Sequence, residues 1–218
     1  MQRSMRNSLV ATLALCAIVC LPGMAGAITT LYFDDITTPG GVAALPTIYG
    51  GFNWSASGET GAQWEVINNG SYQSWTGGFY NFPSNPNAIY NGSSAPGYGG
   101  VISVVSSPGP FNFVGAYFTS YDGGYGTTGL TVDGYRGGTG GTLVDSRNIT
   151  LSLGELTWYQ VDLNNIDTLV FTAATANNGY RLFVMDNFTS SPVPIPGAAW
   201  LLGSGLIGLI GLRRRMRK

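Results

Sequence analysis

Through the middle of the chain, apolar and polar residues alternate in short runs rather than in helical stripes. LYF (31–33), YGGFNW (49–54), AQWEVI (62–67), GVISVV (100–105), FNFVGAYF (111–118), LTVDGY (130–135), GTLVDS (141–146), NITLSL (148–153), WYQVDL (158–163), TLVFTA (168–173) and YRLFVMDNF (180–188) are rich in β-branched and aromatic residues. Clusters of glycine, proline, asparagine and serine separate them, so each run predicts a strand. In the last run the two-residue period puts Tyr180, Leu182, Val184 and Asp186 on one face and Arg181, Phe183, Met185 and Asn187 on the other. No segment of this region reads as a long helix, and no repeat of fixed period is present. The expectation is all-β: an antiparallel β-sandwich, jelly-roll-like, of about ten short strands.

Both ends of the 218-residue chain break that pattern. At the start, Arg3 and Arg6 precede an apolar stretch from Leu9 to Leu21, followed by Pro22-Gly23 and the small residues Ala25, Gly26 and Ala27. This is the layout of a secretory signal peptide, with Ala25 and Ala27 marking the cleavage site. At the other end, Ile195 to Leu212 carries no charge over eighteen residues. At about 1.5 Å per helical residue, such a run is near the lower limit for crossing a bilayer. Trp200 stands near one end of it, and Arg213, Arg214, Arg215, Arg217 and Lys218 follow the other. The positive-inside rule keeps those cations cytoplasmic and the central region outside. The chain therefore divides into a signal peptide (1–27), an exported β-sandwich domain (28–191) and a closing segment (192–218) with one transmembrane helix. Both cysteines, Cys16 and Cys20, fall in the segment to be removed, so the exported domain is expected to fold without disulfides.

Val193-Pro194-Ile195-Pro196, then the glycine-rich apolar run, then the arginine cluster resembles the PEP-CTERM sorting signal of Gram-negative bacteria in its VPxP variant. Ile195 stands where that family usually has glutamate between the prolines. The resemblance covers only the last 26 residues or so. It implies an exosortase-type processing enzyme as partner, reading Val193, Pro194, Pro196, Arg213, Arg214 and Arg215. It also implies an inner-membrane-anchored precursor that passes to the cell surface or extracellular matrix. Two prolines one residue apart cannot sustain helical hydrogen bonding, which leaves an extended segment of the kind a protease takes.

Charge narrows the partners. All eleven acids lie between the hydrophobic ends, with only Arg136, Arg147 and Arg181 among them, a net charge of minus eight there. Such a surface repels phosphate backbones and argues against nucleic acid. Histidine is absent from the whole chain, and the exported region has no lysine or cysteine, so the usual nucleophile pairs and zinc ligands are missing. The expectation is a non-enzyme with a structural or adhesive role linked to extracellular polysaccharide. The residual catalytic reading is a carboxylate glycosidase built on Glu59, Glu65 or Asp122.

Two constellations point to ligands. Phe33-Asp34-Asp35 ends the first strand and Asp186-Asn187-Phe188 the last. In a jelly roll these strands commonly lie side by side, and the arrangement resembles carbohydrate-binding jelly rolls that hold a structural calcium ion there. Asp34, Asp35 and Asp186 are the candidate calcium ligands, since carboxylate and amide oxygens are what that ion takes. The competing reading is solvated acids at a sandwich edge. The second constellation is aromatic: Trp54, Trp64, Tyr72, Trp75, Phe79, Tyr80, Tyr90 and Tyr98 crowd among asparagine, serine and glycine. Trp54, Trp64 and Trp75 are the candidate sugar-stacking residues of a carbohydrate-binding module, because pyranose C–H groups pack on ring faces. Core packing is the competing reading.

Overall fold

The computed structural model describes residues 27–57, 61–77, 81–92, 102–174 and 180–193. Among these residues eleven strands form in chain order: β1 (Thr29–Leu31), β2 (Val42–Ala44), β3 (Ile48–Tyr49), β4 (Phe52–Ser57), β5 (Glu65–Asn68), β6 (Asn87–Tyr90), β7 (Ile102–Ser120), β8 (Gly129–Arg136), β9 (Thr142–Thr150), β10 (Thr157–Ala173) and β11 (Phe183–Pro192). A 3-10 turn, Pro39–Gly41, and one helix, α1 (Asn69–Thr76), interrupt them. All strand pairings are antiparallel.

Three long strands build both layers of a β-sandwich. The second half of β7 pairs with Phe183–Asp186 of β11 and Thr157–Gln160 of β10, and β6, β5 and β2 continue that layer outward. The first residues of β7 pair instead with β4 and with Thr168–Thr172 of β10, and β8 and β9 continue the second layer. The passage between layers occurs at register shifts in β10 between Gln160 and Thr168 and in β11 between Asp186 and Ser190. Bulges bend a strand in this way because the extra residue breaks the ladder locally.

The layers meet through rings. Trp64 lies 5.5 Å from Trp54 and 5.9 Å from Phe171, and Phe118 lies 6.2 Å from Phe171, all edge-on or tilted. These contacts join strands of one layer to strands of the other, as aromatic quadrupoles prefer. On β11 the alternation read from sequence is realised: Phe183 and Met185 enter this core, while Val184 enters a second apolar cluster with Ile67, Tyr72, Phe82, Ala88 and Tyr90. That second cluster covers the other face of β5, β6 and β11.

Helix α1 forms from NGSYQSWT, a poor helical composition, because its ends and one buried ring hold it. The Asn68 side chain accepts the Ser71 N–H at 2.8 Å, and Gly77, at φ 72°, returns its N–H to Gln73 O. Tyr72 is fully buried beneath it.

Candidate cation site and aromatic face

β1 pairs with β11, Leu31 opposite Phe188, so the acids that follow β1 and those within β11 reach one corner of the sandwich. Asp186 is completely buried. Its carboxylate accepts the Ser84 N–H at 2.9 Å, the Ser84 hydroxyl at 2.8–2.9 Å and the Asn187 N–H at 2.7 Å. The same hydroxyl lies 3.2 Å from Tyr32 O. Asp34 accepts the Asn87 N–H at 2.9 Å, and Asn87 Nδ2 donates to the carbonyls of Phe33 and Ile36, clamping the turn that carries Asp34 and Asp35.

Every donor to Asp186 is neutral, and the charge that acts on it is the like charge of Asp34. Burial, with that repulsion added, pushes its carboxyl up to about 7 despite the opposing hydrogen bonds from Ser84 and Asn187. Two amide oxygens beside the acids, Asn87 Oδ1 and Asn187 Oδ1, are buried without a hydrogen-bond partner. An orphaned buried acceptor carries a desolvation cost of about 1–3 kcal/mol. Carboxylate and amide oxygens are the donor types that a hard divalent cation such as calcium takes. Among the described residues no three acidic, histidine or cysteine side chains gather as a metal cluster.

Asp35 is placed differently from its neighbour. Tyr49 donates its hydroxyl to Asp35 Oδ1 at 2.6 Å on the exposed side of the turn. Partial burial, followed by this hydrogen bond, raises the Tyr49 phenol. Of the three acids expected together, Asp34 and Asp186 are near enough to repel one another, and Asp35 faces the Tyr49 hydroxyl. Asn87 sits 53 positions from Asp34, and nothing in its local sequence announces the contact.

The tryptophans divide as well. Trp54 and Trp64 are 3% and 2% exposed, enclosed by Phe33, Phe188, Phe171 and Phe183. With no open ring face, neither can stack on a sugar, and the core-packing reading applies to both. Trp75, at the end of α1, is 55% exposed.

Sequence reasoning missed a different aromatic pair. Tyr117 of β7 and Trp158 of β10 are register partners, half-buried, with rings 5.4 Å apart at 65°. Trp158 Nε1 donates to Gln160 Oε1 at 3.2 Å, and Gln160 Nε2 donates to Asp162 Oδ1 at 2.6 Å. Gly115 makes room for this: a Cβ there would stand 2.2 Å from Tyr159 O and 3.0 Å from the Trp158 ring. The result is an indole next to a row of exposed amide and carboxylate groups. The period-two step from Trp158 to Gln160 to Asp162 was the available signal.

Of the acids considered for catalysis, Glu65 is buried and bonded to Gln63 and Tyr90, and Asp122 accepts the Gly123 N–H. Burial, with the Glu65 hydrogen bond next, raises the Tyr90 phenol. Glu59 lies outside the described residues. Ala25, Pro194, Pro196, Arg213, Arg214 and Arg215 also lie outside them, whereas Ala27 and Val193 are the first and last described. Among the described residues no helix is long and apolar enough to cross a membrane.

No family model matches the chain, and no curated protein matches it. Among solved structures it is similar to the K2 cleaved adhesin domain of Lys-gingipain, at 13% identity and TM-score 0.49 over 77% of this chain and all of that one. It is also similar to TmCBM61 in complex with β-1,4-galactotriose, at 11% identity and TM-score 0.36 over 66% of this chain and 90% of that one. The agarase AgWH50C follows at 10% identity and TM-score 0.30, over 71% of this chain and 25% of the agarase.

Proposed function

We propose that this chain is an exported protein of the cell surface or extracellular polysaccharide matrix, sorted by a PEP-CTERM-like tail that an exosortase-type enzyme reads. The carrying observation is the order Pro194-x-Pro196, uncharged run, arginine cluster at residues 194–217, which has no use in a folded core. The compact unit Ala27–Val193 supports it, since its limits fall where the two topogenic segments are expected to join. The precursor is anchored in the inner membrane by its C-terminal helix. The exported part is a jelly-roll-like, non-enzymatic module whose first and last strands are closed by calcium held by Asp34 and Asp186 with the Asn87 and Asn187 amides. The ion would supply the positive charge that this corner lacks.

The test is export of the full chain with Arg213, Arg214 and Arg215 replaced by serine. Loss of membrane retention during export is expected; unchanged fractionation and processing would overturn the reading.

The Tyr117–Trp158 pair favours a second, compatible reading as a carbohydrate-binding module. Ring stacking with C–H groups, flanked by Gln160 and Asp162 as hydroxyl partners, suits a neutral sugar better than a peptide. On a glycan array Trp158→Ala is expected to lower retention about tenfold or more, in line with the loss of a stacked ring. Trp75→Ala should leave it unchanged. Equal retention of the Trp158 variant and the parent would remove this reading and leave the structural role.

A further inference from the structure

Strand β9 ends the strand order, and among the described residues nothing pairs with its outer edge. Soluble proteins usually blunt such an edge with lysine, proline or inward charge, because unpaired N–H and C=O groups template further pairing. β9 has neither lysine nor proline, and its Leu143 and Val144 are 50% and 44% exposed.

The strand reads TLVDSRNIT. Its sequence is nearly symmetric about Ser146: Asp145 mirrors Arg147, Leu143 mirrors Ile149 and Thr142 mirrors Thr150. Two identical strands paired antiparallel about a two-fold axis at Ser146 therefore set Asp145 of each copy opposite Arg147 of the other. Such an isologous contact satisfies both charges twice. Within one copy Asp145 and Arg147 form an ion pair at 2.7 Å along the strand, with side chains 46% and 42% exposed. Val144 has no partner on β8, since Gly134 pairs with Asp145 and Tyr135 with Leu143. The β8–β9 ladder is regular from Asp145 to Thr150, on the far side of that bulge.

We propose that β9 is a homotypic docking edge through which a second copy of this chain continues the sheet. A stable interface buries about 800 Å² per partner, more than one strand edge supplies, so the contact is weak and depends on crowding of copies on a surface. The pairing is independent of the sugar face, and the crowding that strengthens it rests on the surface display proposed above.

The experiment uses the full chain with Cys16 and Cys20 replaced by serine, so that Ser146→Cys introduces the only cysteine. Directly opposed residues of an antiparallel pair bring their Cβ atoms to about 4.5–5.5 Å, close to disulfide reach. Mild oxidation of the exported protein is expected to give self-disulfide dimers at least tenfold faster than a control cysteine at the exposed Asn164. Adding Asp145→Arg, which opposes arginine to arginine twice, is expected to slow cross-linking about tenfold, and Arg147→Asp likewise. The combined Asp145→Arg, Arg147→Asp variant is expected to restore it, which separates lost pairing from lost folding. Cross-linking no faster than the Asn164 control, or insensitive to the single reversals, or not restored by the double one, overturns the proposal.

Discussion

Asp186 and Asp145 are the same residue in opposite circumstances. Asp186 sits wholly inside a sandwich corner, with neutral donors and the repulsion of Asp34, and its carboxyl is pushed up to about 7. Asp145 stands on an open edge, where the hydrogen bond from Arg147, then the Ser146 N–H, lowers its carboxyl below the ordinary value. The exposed acid is already compensated and solvated, so its pairing adds little to stability. The buried acid is compensated only in part, by neutral hydrogen bonds from Ser84 and Asn187. Their difference directs the search for a ligand to the corner and the search for a partner chain to the edge.

The largest effect expected from this contrast is on pH dependence in chelator. The folded Asp186 carboxyl near 7 is above its unfolded value of 3.8. The folded state therefore holds a proton that the unfolded chain has released, and stability is fully present below about pH 4 and is lost as pH rises through about 7. The change is on the order of a few kcal/mol for so large a shift of a buried group. Denaturant melts between pH 4 and 8 should show this falling limb in chelator and lose it in saturating calcium, which holds Asp186 ionised. A flat profile in chelator would break the contrast. At the small end, Asp145→Asn should leave the melting curve of dilute protein unchanged within error, because a solvated pair on a strand edge is screened by water and salt. A clear loss of stability there would mean that the edge pair is more than a surface contact.

Much of this frame was legible in the sequence because β-structure writes itself at short range. The alternation puts Val184 on one face and Phe183 and Met185 on the other, and the two apolar clusters divide them in the same way. Strand boundaries were harder. WYQVDL and TLVFTA read as two strands because Asn164, Asn165 and Asp167 look like a turn, yet they lie within β10, where Asp162 and Asn165 take φ of 53° and 56° at its bulges. GTLVDS and NITLSL likewise merge into β9. The helix and β6 escaped notice because Asn, Gly and Ser carry weak propensity, and caps and Tyr72 decide the outcome instead.

The sites show the same division. That Asp34 and Asp186 reach one corner was legible because terminal strands often adjoin. Asn87 was not, because its role depends on a loop that returns from across the chain. Among the tryptophans, the residue type was informative and the position was not. Trp54 and Trp158 occupy strands and Trp64 directly precedes β5, and which face is covered is settled only when the second layer packs.

The most direct test of the corner is a thermal melt of the purified protein in calcium and in chelator. An ion that binds only the folded state adds about 2.7 kcal/mol when free calcium is a hundredfold above its dissociation constant. The melting temperature should therefore rise by several degrees with calcium and fall with chelator. Asp186→Asn should abolish most of the difference, and Asp35→Asn should leave it intact. Identical curves in calcium and chelator for the unmodified protein would contradict the account, and the buried acids would then be a cost that the fold bears without a ligand.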